Sequence, residues 1–250
     1  MPAGISVVII TRNAASTLGR TLDALQCFDD VVVYDNGSSD DTTRVASGYS
    51  NVSLHEGDFL GFGPTKRFAV SLAKHDWILS LDADEAPSRE LIEAIALWCP
   101  SAASNDLGEI RRENWMMGRP VRYSGWGNDW LVRLFNRRCH NFNDAMVHES
   151  ILLSETSRVQ RLSGIIEHTA VTDLSQFLEK INRYSSLRAE SGKLKNYPAA
   201  IVFLKAIFAF LRTYVLQHGW LDGWRGLVIA VSNANGVFWK YIKQSVRSGK

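Results

Sequence analysis

Four short apolar runs, each followed by polar residues and then a helical pattern, occupy the first hundred residues. The runs lie at residues 5–11, 31–34, 52–54 and 77–81, and the first of them reads ISVVIIT. Apolar runs of this length are typical of strands buried in a parallel sheet. Their alternation with helical segments predicts an α/β fold in which helices cover both faces of the sheet.

Polar side chains follow three of these runs. Thr11 and Asn13 lie at the end of the first, Asp35 ends the second, and Asp82 and Asp84 follow the fourth. The carboxyl ends of parallel strands meet at one edge of a sheet, where ligands bind in folds of this class. We therefore expect the three polar ends to form a single site.

The two aspartates after the fourth run are one residue apart, in the segment WILSLDADE. Carboxylates at that spacing are suited to a divalent cation that also bridges the phosphates of a nucleotide. The alternative interpretation is that they solvate a loop and cap the next helix. Their expected position on the same edge as Asp35 favours the ligand interpretation.

Two common nucleotide sites are missing from the sequence. A dinucleotide-binding domain requires G-x-G-x-x-G after its first strand, and the segment TRNAAST at residues 11–17 has no glycine. The P-loop is also missing, since GK is nowhere followed by Ser or Thr. Lys66 lies near the start of a predicted helix, where its positive charge and the helix N-terminus favour binding of a phosphate group. The alternative interpretation is that Lys66 lies in a first helical turn that contacts only solvent.

Residues 105–150 differ in composition from the first hundred. They are rich in Trp, Arg and Asn, and they contain a strand-like piece at residues 130–135. Aromatic faces beside hydrogen-bonding side chains suit a sugar or another amphipathic ligand. The simpler alternative is a capping segment whose tryptophans fill the core.

Four stretches together resemble a known enzyme family: TRNAASTL, VVYDNGSSDDT, KRFAVSLAKHDWILSLDADE, and GWGNDWLVRLFNRR followed by VHE. They are similar to the inverting glycosyltransferases of family 2, and more closely to the small bacterial enzymes that add a β-1,4-linked glucose to the inner core of lipopolysaccharide. The resemblance implies a GT-A fold, with a Rossmann-like, mostly parallel sheet flanked by helices. It also implies a UDP-sugar donor and Mg²⁺ or Mn²⁺ as cofactor.

The resemblance and the chemistry of transfer give each candidate residue an expected role. Asp84 is expected to bind the metal, and His148 the metal or the diphosphate, with a packed histidine as the alternative. Inverting transfer needs a base that takes the proton of the acceptor hydroxyl. Asp129 is the first candidate for this base and Glu149 is the second. The residues expected to bind the nucleotide sugar are Thr11, Asn13, Asp35, Lys66, Asp82, Arg133 and Arg137.

Charge divides the chain near residue 175. Residues 1–175 carry 16 Lys/Arg and 23 acidic residues, whereas residues 176–250 carry 12 Lys/Arg and three acidic residues. The basic part contains the apolar stretch AAIVFLKAIFAFLRTYVLQ. A helix that spans a membrane needs about 20 largely uncharged residues, and Lys205 and Arg212 interrupt this stretch. We expect a C-terminal amphipathic helical tail that lies on the membrane surface. Packing on the domain or dimer formation is the alternative.

The predicted organisation is a GT-A domain at residues 1–170 and the tail at residues 171–250. Within the domain, residues 1–104 form the nucleotide-sugar half and residues 105–170 the acceptor half. No secretion signal is visible, and the three cysteines are far apart, as in proteins of a reducing compartment. The expected location is cytoplasmic, peripheral to the cytoplasmic face of the inner membrane.

The predicted function is inverting transfer of a hexose, expected to be glucose, from a UDP-sugar to a lipid-linked oligosaccharide in lipopolysaccharide core biosynthesis. The expected partners are UDP-hexose, that acceptor and the inner-membrane surface, with no nucleic acid. A sugar nucleotidyltransferase is one alternative, although TRNAAST lacks the Gly- and Arg-rich loop of that class. A non-catalytic, membrane-bound GT-A scaffold is the other.

Overall fold

The chain forms two compact units, each with a hydrophobic core of its own. Unit 1 consists of residues 1–112 and 129–169, and unit 2 of residues 113–128 and 170–250. The computed structural model describes residues 4–147, 149–191 and 195–248.

Four parallel strands form one half of the sheet of unit 1. They lie in the order β3, β2, β1, β4, and each neighbouring pair is parallel. All four were predicted from their apolar runs, and the structure adds at most two residues to any end of a run. Their bounds are Ile5–Thr11 for β1, Asp30–Asp35 for β2, Val52–Glu56 for β3 and Trp77–Asp82 for β4.

Successive side chains of the central strands enter two different cores. Val7 of β1 packs in one cluster with Leu79 of β4, whereas Val8 and Ile78 belong to the other. Since both faces are covered, every residue of β1 is buried. This double burial explains the nearly continuous apolar runs.

The second half of the sheet is antiparallel where its registers are defined. Strand β8 pairs antiparallel with β4 and with β6, and β5 pairs antiparallel with β9. The sheet of unit 1 is thus mixed. Among the strands of this second half, the sequence pattern predicted only β8. The bounds are Glu85–Pro87 for β5, Asp106–Met116 for β6, Asp129–Asn136 for β8 and Arg158–Val171 for β9, with β7 at Arg119–Val121.

Helices flank the sheet of unit 1. The last of them, α4, begins after Ser88, whose hydroxyl accepts a hydrogen bond from the N–H of Leu91 at 3.2 Å. Leu91, Ile95 and Trp98 recur at helical spacing and are buried, so α4 presents one apolar face to the core. The bounds are Ala15–Asp23 for α1, Thr42–Ala46 for α2, Phe62–Ser71 for α3 and Arg89–Trp98 for α4, followed by a 3₁₀ turn at Cys99–Ser101.

Unit 2 is mainly helical. Helix α7 packs against both α5 and α6, and the core includes Met116, Val121, Val171 and Ile229. Strand β7 pairs with the end of β6. The bounds are Leu174–Glu190 for α5, Ala199–Leu211 for α6 and Trp224–Arg247 for α7, with a π-helical turn at Arg212–Leu216 and a 3₁₀ turn at Gly219–Asp222.

The division into units differs from the predicted domains at one segment. Residues 113–128 belong to unit 2, whereas the predicted acceptor half contains them. This difference concerns packing alone, and the functional division of the chain stays a prediction.

One segment of the described residues, Ala199–Leu216, is long and apolar enough to cross a membrane by length and composition. Its mean hydropathy is 1.9, and 17% of it is buried inside the structure. The segment comprises α6 and the π-helical turn. Because so little of it is buried, most of its apolar surface is exposed.

Candidate active site

The carboxyl ends of the central strands lie side by side at one edge of the sheet. In the strand registers, Thr11 is paired with Asp35, and Ile10 with Asp82. The structure therefore brings together the three polar strand ends that the sequence placed at one edge.

Asp35 holds the turn that follows β2. Its Oδ2 accepts hydrogen bonds from the N–H groups of Gly37 at 3.1 Å and Ser38 at 2.8 Å, and its Oδ1 from the Ser38 hydroxyl at 2.5 Å. Gly37 has φ of 79°, which glycine adopts without steric cost. Because a carboxylate oxygen can accept two hydrogen bonds, Oδ1 has capacity for one further donor.

Asn13 ties the loop after β1 to the loop after β2. Its N–H donates to Ser38 Oγ at 2.8 Å, and its Oδ1 accepts from the N–H of Ser39 at 2.8 Å. Its φ of 51° is in the left-handed region, which asparagine tolerates better than most residues. Asn13 thus shapes this corner of the site through its backbone and its side chain.

Thr11 presents an unusual polar atom at the same edge. The residue is 3% exposed, and its Oγ1 has no hydrogen-bond partner among the residues that the structure describes. Buried hydroxyl groups are nearly always hydrogen-bonded. A ligand bound at this edge would supply the missing partner.

Asp82, the last residue of β4, is held by two buried cations. Lys66 Nζ lies 2.8 Å from its Oδ1, and Arg133 Nη2 lies 2.9 Å from its Oδ2. Burial by itself raises the pKa of the Asp82 carboxyl, but Arg133 and Lys66 outweigh it and hold that pKa well below its ordinary value. Asp82 is therefore ionised at neutral pH.

Glu85 is the buried centre of the cluster. Its Oε1 accepts hydrogen bonds from Arg133 Nη2 at 2.7 Å and Arg112 Nη1 at 3.1 Å, and its Oε2 accepts from the N–H of Asp82 at 3.0 Å. Burial lowers the pKa of both guanidinium groups, but the adjoining carboxylates outweigh it and raise both. Fixed opposite charges thus compensate one another inside the protein.

Both candidate bases are attached to this cluster. Arg112 donates to Asp129 Oδ2 from Nε at 2.8 Å, and its Nη2 lies 2.7 Å from the same oxygen. Lys66 Nζ lies 2.7 Å from Glu149 Oε1. The ion-pair network therefore runs, in order, through Glu149, Lys66, Asp82, Arg133, Glu85, Arg112 and Asp129.

Each candidate base keeps one oxygen outside these pairs. Within the described part of the chain, Oδ1 of Asp129 and Oε2 of Glu149 accept no hydrogen bond. The two side chains are 29% and 17% exposed. Each thus presents a carboxylate oxygen to which an acceptor hydroxyl can donate.

Asp84 has different surroundings from Asp82. Its Oδ2 lies 3.3 Å from Nε2 of His168, and its side chain is 37% exposed. The N–H of Thr169 donates to the backbone oxygen of Asp84 at 2.8 Å, which fixes this turn against β9. The structure thus places one carboxylate and one imidazole side by side at the edge of the sheet.

The donor set fits a cation that is shared with substrate and does not fit a closed structural metal site. Among the described residues, no three His, Cys, Asp or Glu side chains are placed to hold one ion. Mg²⁺ bound to nucleotide phosphates uses one or two carboxylates and completes its shell with phosphate and water oxygens. Asp84 provides such a carboxylate, with His168 beside it. The predicted ligand His148 lies outside the described residues.

Arg137 is not part of the cluster. Its guanidinium donates to the carbonyl oxygens of Val70 at 3.2 Å and Ala73 at 2.7 Å, and it pairs with Asp76 at 3.4 Å. Asp76 precedes β4, so these contacts lie at the end of the strand opposite to Asp82. The structure therefore does not bring Arg137 to the expected diphosphate position, whereas Arg133 is at the cluster.

Three members of the site had no role in the sequence interpretation: Glu85, Arg112 and His168. Glu85 is visible in the segment LDADEAP, where a carboxylate directly before a short apolar piece is the one local signal. Arg112 and His168 lie on β6 and β9, and their positions follow from strand pairing that the sequence pattern does not show.

The sequence comparison decides the family. The model described as Glycosyl transferase family 2 matches residues 6–156. The chain belongs to glycosyltransferase family 2. The matched part contains every predicted site residue from Thr11 to Glu149, whereas His168 and most of unit 2 lie beyond it.

Relatives support the same family along nearly the whole chain. An uncharacterized glycosyltransferase of Rickettsia prowazekii is 27% identical over 256 residues, covering 96% of this chain and 86% of the relative. The lipopolysaccharide core biosynthesis glycosyltransferase LpsC of Rhizobium meliloti is 26% identical over 242 residues, covering 92% of this chain and 87% of LpsC.

A solved structure confirms the fold class. The crystal structure of residues 1–349 of S. aureus TarS in complex with UDP superposes with a TM-score of 0.50 at 16% identity, and covers 98% of this chain and 92% of that one. The family match and this likeness confirm the predicted GT-A architecture, a mixed α/β sheet flanked by helices.

Proposed function

We propose that this chain is a metal-dependent, inverting hexosyltransferase that transfers glucose from a UDP-sugar to a lipid-linked oligosaccharide of the lipopolysaccharide core. The observation that carries the proposal is the ion-pair network, which joins Asp82 at the sheet edge to both candidate bases. The UDP bound to TarS supports a uridine donor, and the name of LpsC supports a core acceptor.

The donor would lie across the carboxyl ends of β1, β2 and β4. The buried Oγ1 of Thr11 and the second acceptor position of Asp35 Oδ1 suit the nucleoside. Lys66 and Arg133 lie beside Asp82, where they stabilise negative charge on the diphosphate. Asp84, with His168, would hold the cation, which when bound neutralises charge on the leaving diphosphate.

In the proposed reaction, the acceptor hydroxyl oxygen attacks the anomeric carbon from the face opposite the phosphate. The bond between that carbon and the phosphate oxygen breaks, and UDP leaves with the electron pair. The proton of the hydroxyl passes to Asp129, or to Glu149 as the second candidate. Arg112 and Lys66 hold these carboxylates in position.

Unit 2 supports a position at the cytoplasmic face of the inner membrane. Phe203, Leu204 and Phe208 of α6 are 58%, 62% and 60% exposed, and basic residues outnumber acids fourfold in residues 176–250. Exposed apolar side chains together with positive charge favour binding to an anionic bilayer surface. A lipid-linked acceptor requires its enzyme at that surface.

The proposed function is tested by a donor screen without acceptor. The full chain is incubated with UDP-glucose, UDP-galactose, UDP-N-acetylglucosamine or GDP-mannose in Mn²⁺ or EDTA, and slow release of the nucleoside diphosphate is measured. We expect release from UDP-glucose in Mn²⁺ and none in EDTA. In parallel, we expect UDP to raise the melting temperature in Mn²⁺ and to leave it unchanged in EDTA. If UDP raises the melting temperature in neither Mn²⁺ nor EDTA, the protein is not a UDP-sugar transferase.

A further inference from the structure

A cavity of about 480 Å³ lies within unit 2, between α6, α7 and the loop at residues 124–126. Its volume falls in the range of clefts that bind small molecules. All of its lining residues belong to unit 2, so the cavity is separate from the ion-pair network of unit 1.

Three cations line this cavity and no carboxylate does. Lys205, Arg212 and Lys240 are among the lining residues, and Asp and Glu are absent from them. Within the described part of the chain, none of the three has a carboxylate within 4.0 Å. The cavity thus concentrates positive charge that nearby acids do not neutralise.

The pKa of Lys240 reflects the same excess of positive charge. Burial lowers the pKa of the Lys240 ammonium, and the positive charges of Arg188 and Lys205 lower it further. Like charges brought together in a partly buried place favour the binding of an anion between them.

Asp222, in the 3₁₀ turn at Gly219–Asp222, already has hydrogen-bond donors in the loop beside the cavity. Asp222 accepts hydrogen bonds from the N–H groups of Arg122 at 3.0 Å and Tyr123 at 3.1 Å, and from the hydroxyl of Ser124 at 2.9 Å. It holds the loop that forms one wall of the cavity without lining the cavity itself.

Aromatic side chains form the other walls. Trp126, Phe208 and Tyr241 line the cavity. Lys205 Nζ lies 5.8 Å and Lys240 Nζ 5.2 Å from the ring centroid of Tyr241. These cation–π contacts offset part of the positive charge. Tyr241 lies beside both ammonium groups, and Lys205 Nζ also lies 4.5 Å from the ring centroid of Tyr197. Apolar faces beside cations suit a sugar or glycerol unit that carries an anionic group.

We propose that this cavity binds an organic phosphate, with the phosphate group on Lys205, Arg212 and Lys240 and the attached sugar or glycerol unit against Trp126, Phe208 and Tyr241. The site lies outside the proposed transfer reaction and does not depend on it. Two sources share this chemistry: the headgroup of a membrane phospholipid, and a soluble sugar phosphate. Either would also explain why two charges interrupt the otherwise apolar helix α6 and its extension.

The test compares two double variants of the full chain that lose the same charge. Lys205→Gln/Lys240→Gln changes the cavity, and Lys180→Gln/Arg183→Gln removes two exposed cations of α5. The probes are inorganic phosphate, glucose 6-phosphate, and phosphatidylcholine vesicles with or without phosphatidylglycerol. Binding of the soluble probes is measured by calorimetry and binding of the vesicles by flotation.

We expect the cavity variant to lose at least tenfold in affinity for one organic phosphate probe, and the α5 variant to lose less than twofold. Loss confined to phosphatidylglycerol vesicles identifies a lipid headgroup, and loss confined to glucose 6-phosphate identifies a soluble ligand. Equal loss in both variants, or no binding of any probe, overturns the proposal. The proposal is also overturned if inorganic phosphate binds as tightly as glucose 6-phosphate and the cavity variant floats with vesicles as the wild type does. The aromatic walls would then contribute nothing to binding.

The variants also carry a check on folding. Lys240→Gln removes one of several like charges, so its melting temperature should equal or exceed that of the wild type. A folded Lys240→Gln variant with unchanged affinity for every probe would overturn the assignment of this residue to the site.

Discussion

Asp82 and Asp84 are separated by a single residue, but their carboxylates have different surroundings. Asp82 is neutralised on both oxygens by Lys66 and Arg133, so it organises the cations of the site. Asp84 is more exposed and lies beside an imidazole, which leaves its carboxylate suited to a bound cation. The same residue type thus has two different surroundings, because β4 continues to Asp82 and ends there.

Asp84→Asn should abolish transfer while the chain still folds. The change keeps the shape of the side chain but removes the charge that a divalent cation requires. We expect transfer to fall by about 100-fold or more, within the effects that electrostatic groups of active sites exert, and UDP in Mn²⁺ to lose its effect on the melting temperature. Glu93→Gln, an exposed carboxylate of α4, is the matched control. Full activity of Asp84→Asn would reject the metal role.

The two candidate bases can be separated by substitution. Asp129→Asn should lower kcat by about 10²–10⁴-fold, the usual contribution of a general base, with UDP binding retained. Arg112 would keep Glu85 as a partner, and Lys66 would keep Asp82 in Glu149→Gln, so both variants should fold. A large loss of kcat in Glu149→Gln, with Asp129→Asn nearly normal, would assign the base to Glu149.

Asp82 should make the stability of the protein depend on pH in acid. Its folded pKa is depressed, so its ion pairs stabilise the fold fully above the unfolded value of about 4, and this contribution is lost as pH falls toward the folded value. The difference in unfolding free energy between the wild type and Asp82→Asn, from urea titrations, should be constant from pH 7 to 5 and shrink below pH 4. A difference that grows in acid would contradict the network.

At the scale of elements, local pattern predicted the four strands that contain short apolar runs. Every residue of β1 and β2 and four of the six residues of β4 are buried, whereas β3 lies at the end of the strand order and is only partly buried. The signal of these strands lies in the run itself. Strands β6 and β9 read DLGEIRRENWM and RVQRLSGIIEHTAV, with many charged residues among the apolar ones. Their conformation depends on distant partners, and a local pattern does not specify those partners.

The candidate site divides in the same way. The proximity of Thr11, Asp35 and Asp82 could be predicted because parallel strands bring their carboxyl ends to one edge. The pairing of Asp84 with His168 could not, since it depends on β5 lying antiparallel to β9. Arg137 shows the limit of sequence proximity: it lies four residues after Arg133, but its contacts are at the other end of β4, beside Asp76.

Contact between β9 and the start of α4 should be sensitive to a single methyl group. Gly164 has φ of 89°, and a Cβ there would lie 2.3 Å from the backbone N of Leu91. Gly164→Ala should destabilise the protein by about 2–4 kcal/mol, from left-handed strain and overpacking together. The control is Gly118→Ala, with φ of 73° and no atom within 4 Å of a Cβ. Urea unfolding should show a clearly smaller loss for Gly118→Ala, and equal losses would contradict the packing argument.

At the scale of the whole molecule, charge and apolar exposure are unevenly distributed along the chain. Residues 1–175 are acidic in balance and residues 176–250 are basic. The exposed apolar side chains of α6 belong to the basic part. This combination is the basis for proposing attachment of unit 2 to an anionic bilayer.

Phe203→Ser/Leu204→Ser should weaken membrane association without unfolding the chain, because both side chains are already exposed. We expect flotation with phosphatidylglycerol-containing vesicles to fall several-fold. Leu178→Ser/Leu187→Ser, at two exposed leucines of α5, is the matched control and should float as the wild type does. Unchanged flotation of the α6 variant would remove the membrane role of this face.

The chain passes between the two units three times, at residues 112/113, 128/129 and 169/170. The N–H of Arg122 is bonded to Asp222, 100 residues later, and the guanidinium of Arg225 donates to the carbonyl oxygen of Met116. During synthesis on the ribosome, residues 113–128 therefore emerge long before the partners that secure them. Unit 2 therefore cannot close until Asp222 and Arg225 have emerged, and a polypeptide that stops near residue 170 would leave residues 113–128 without these anchors.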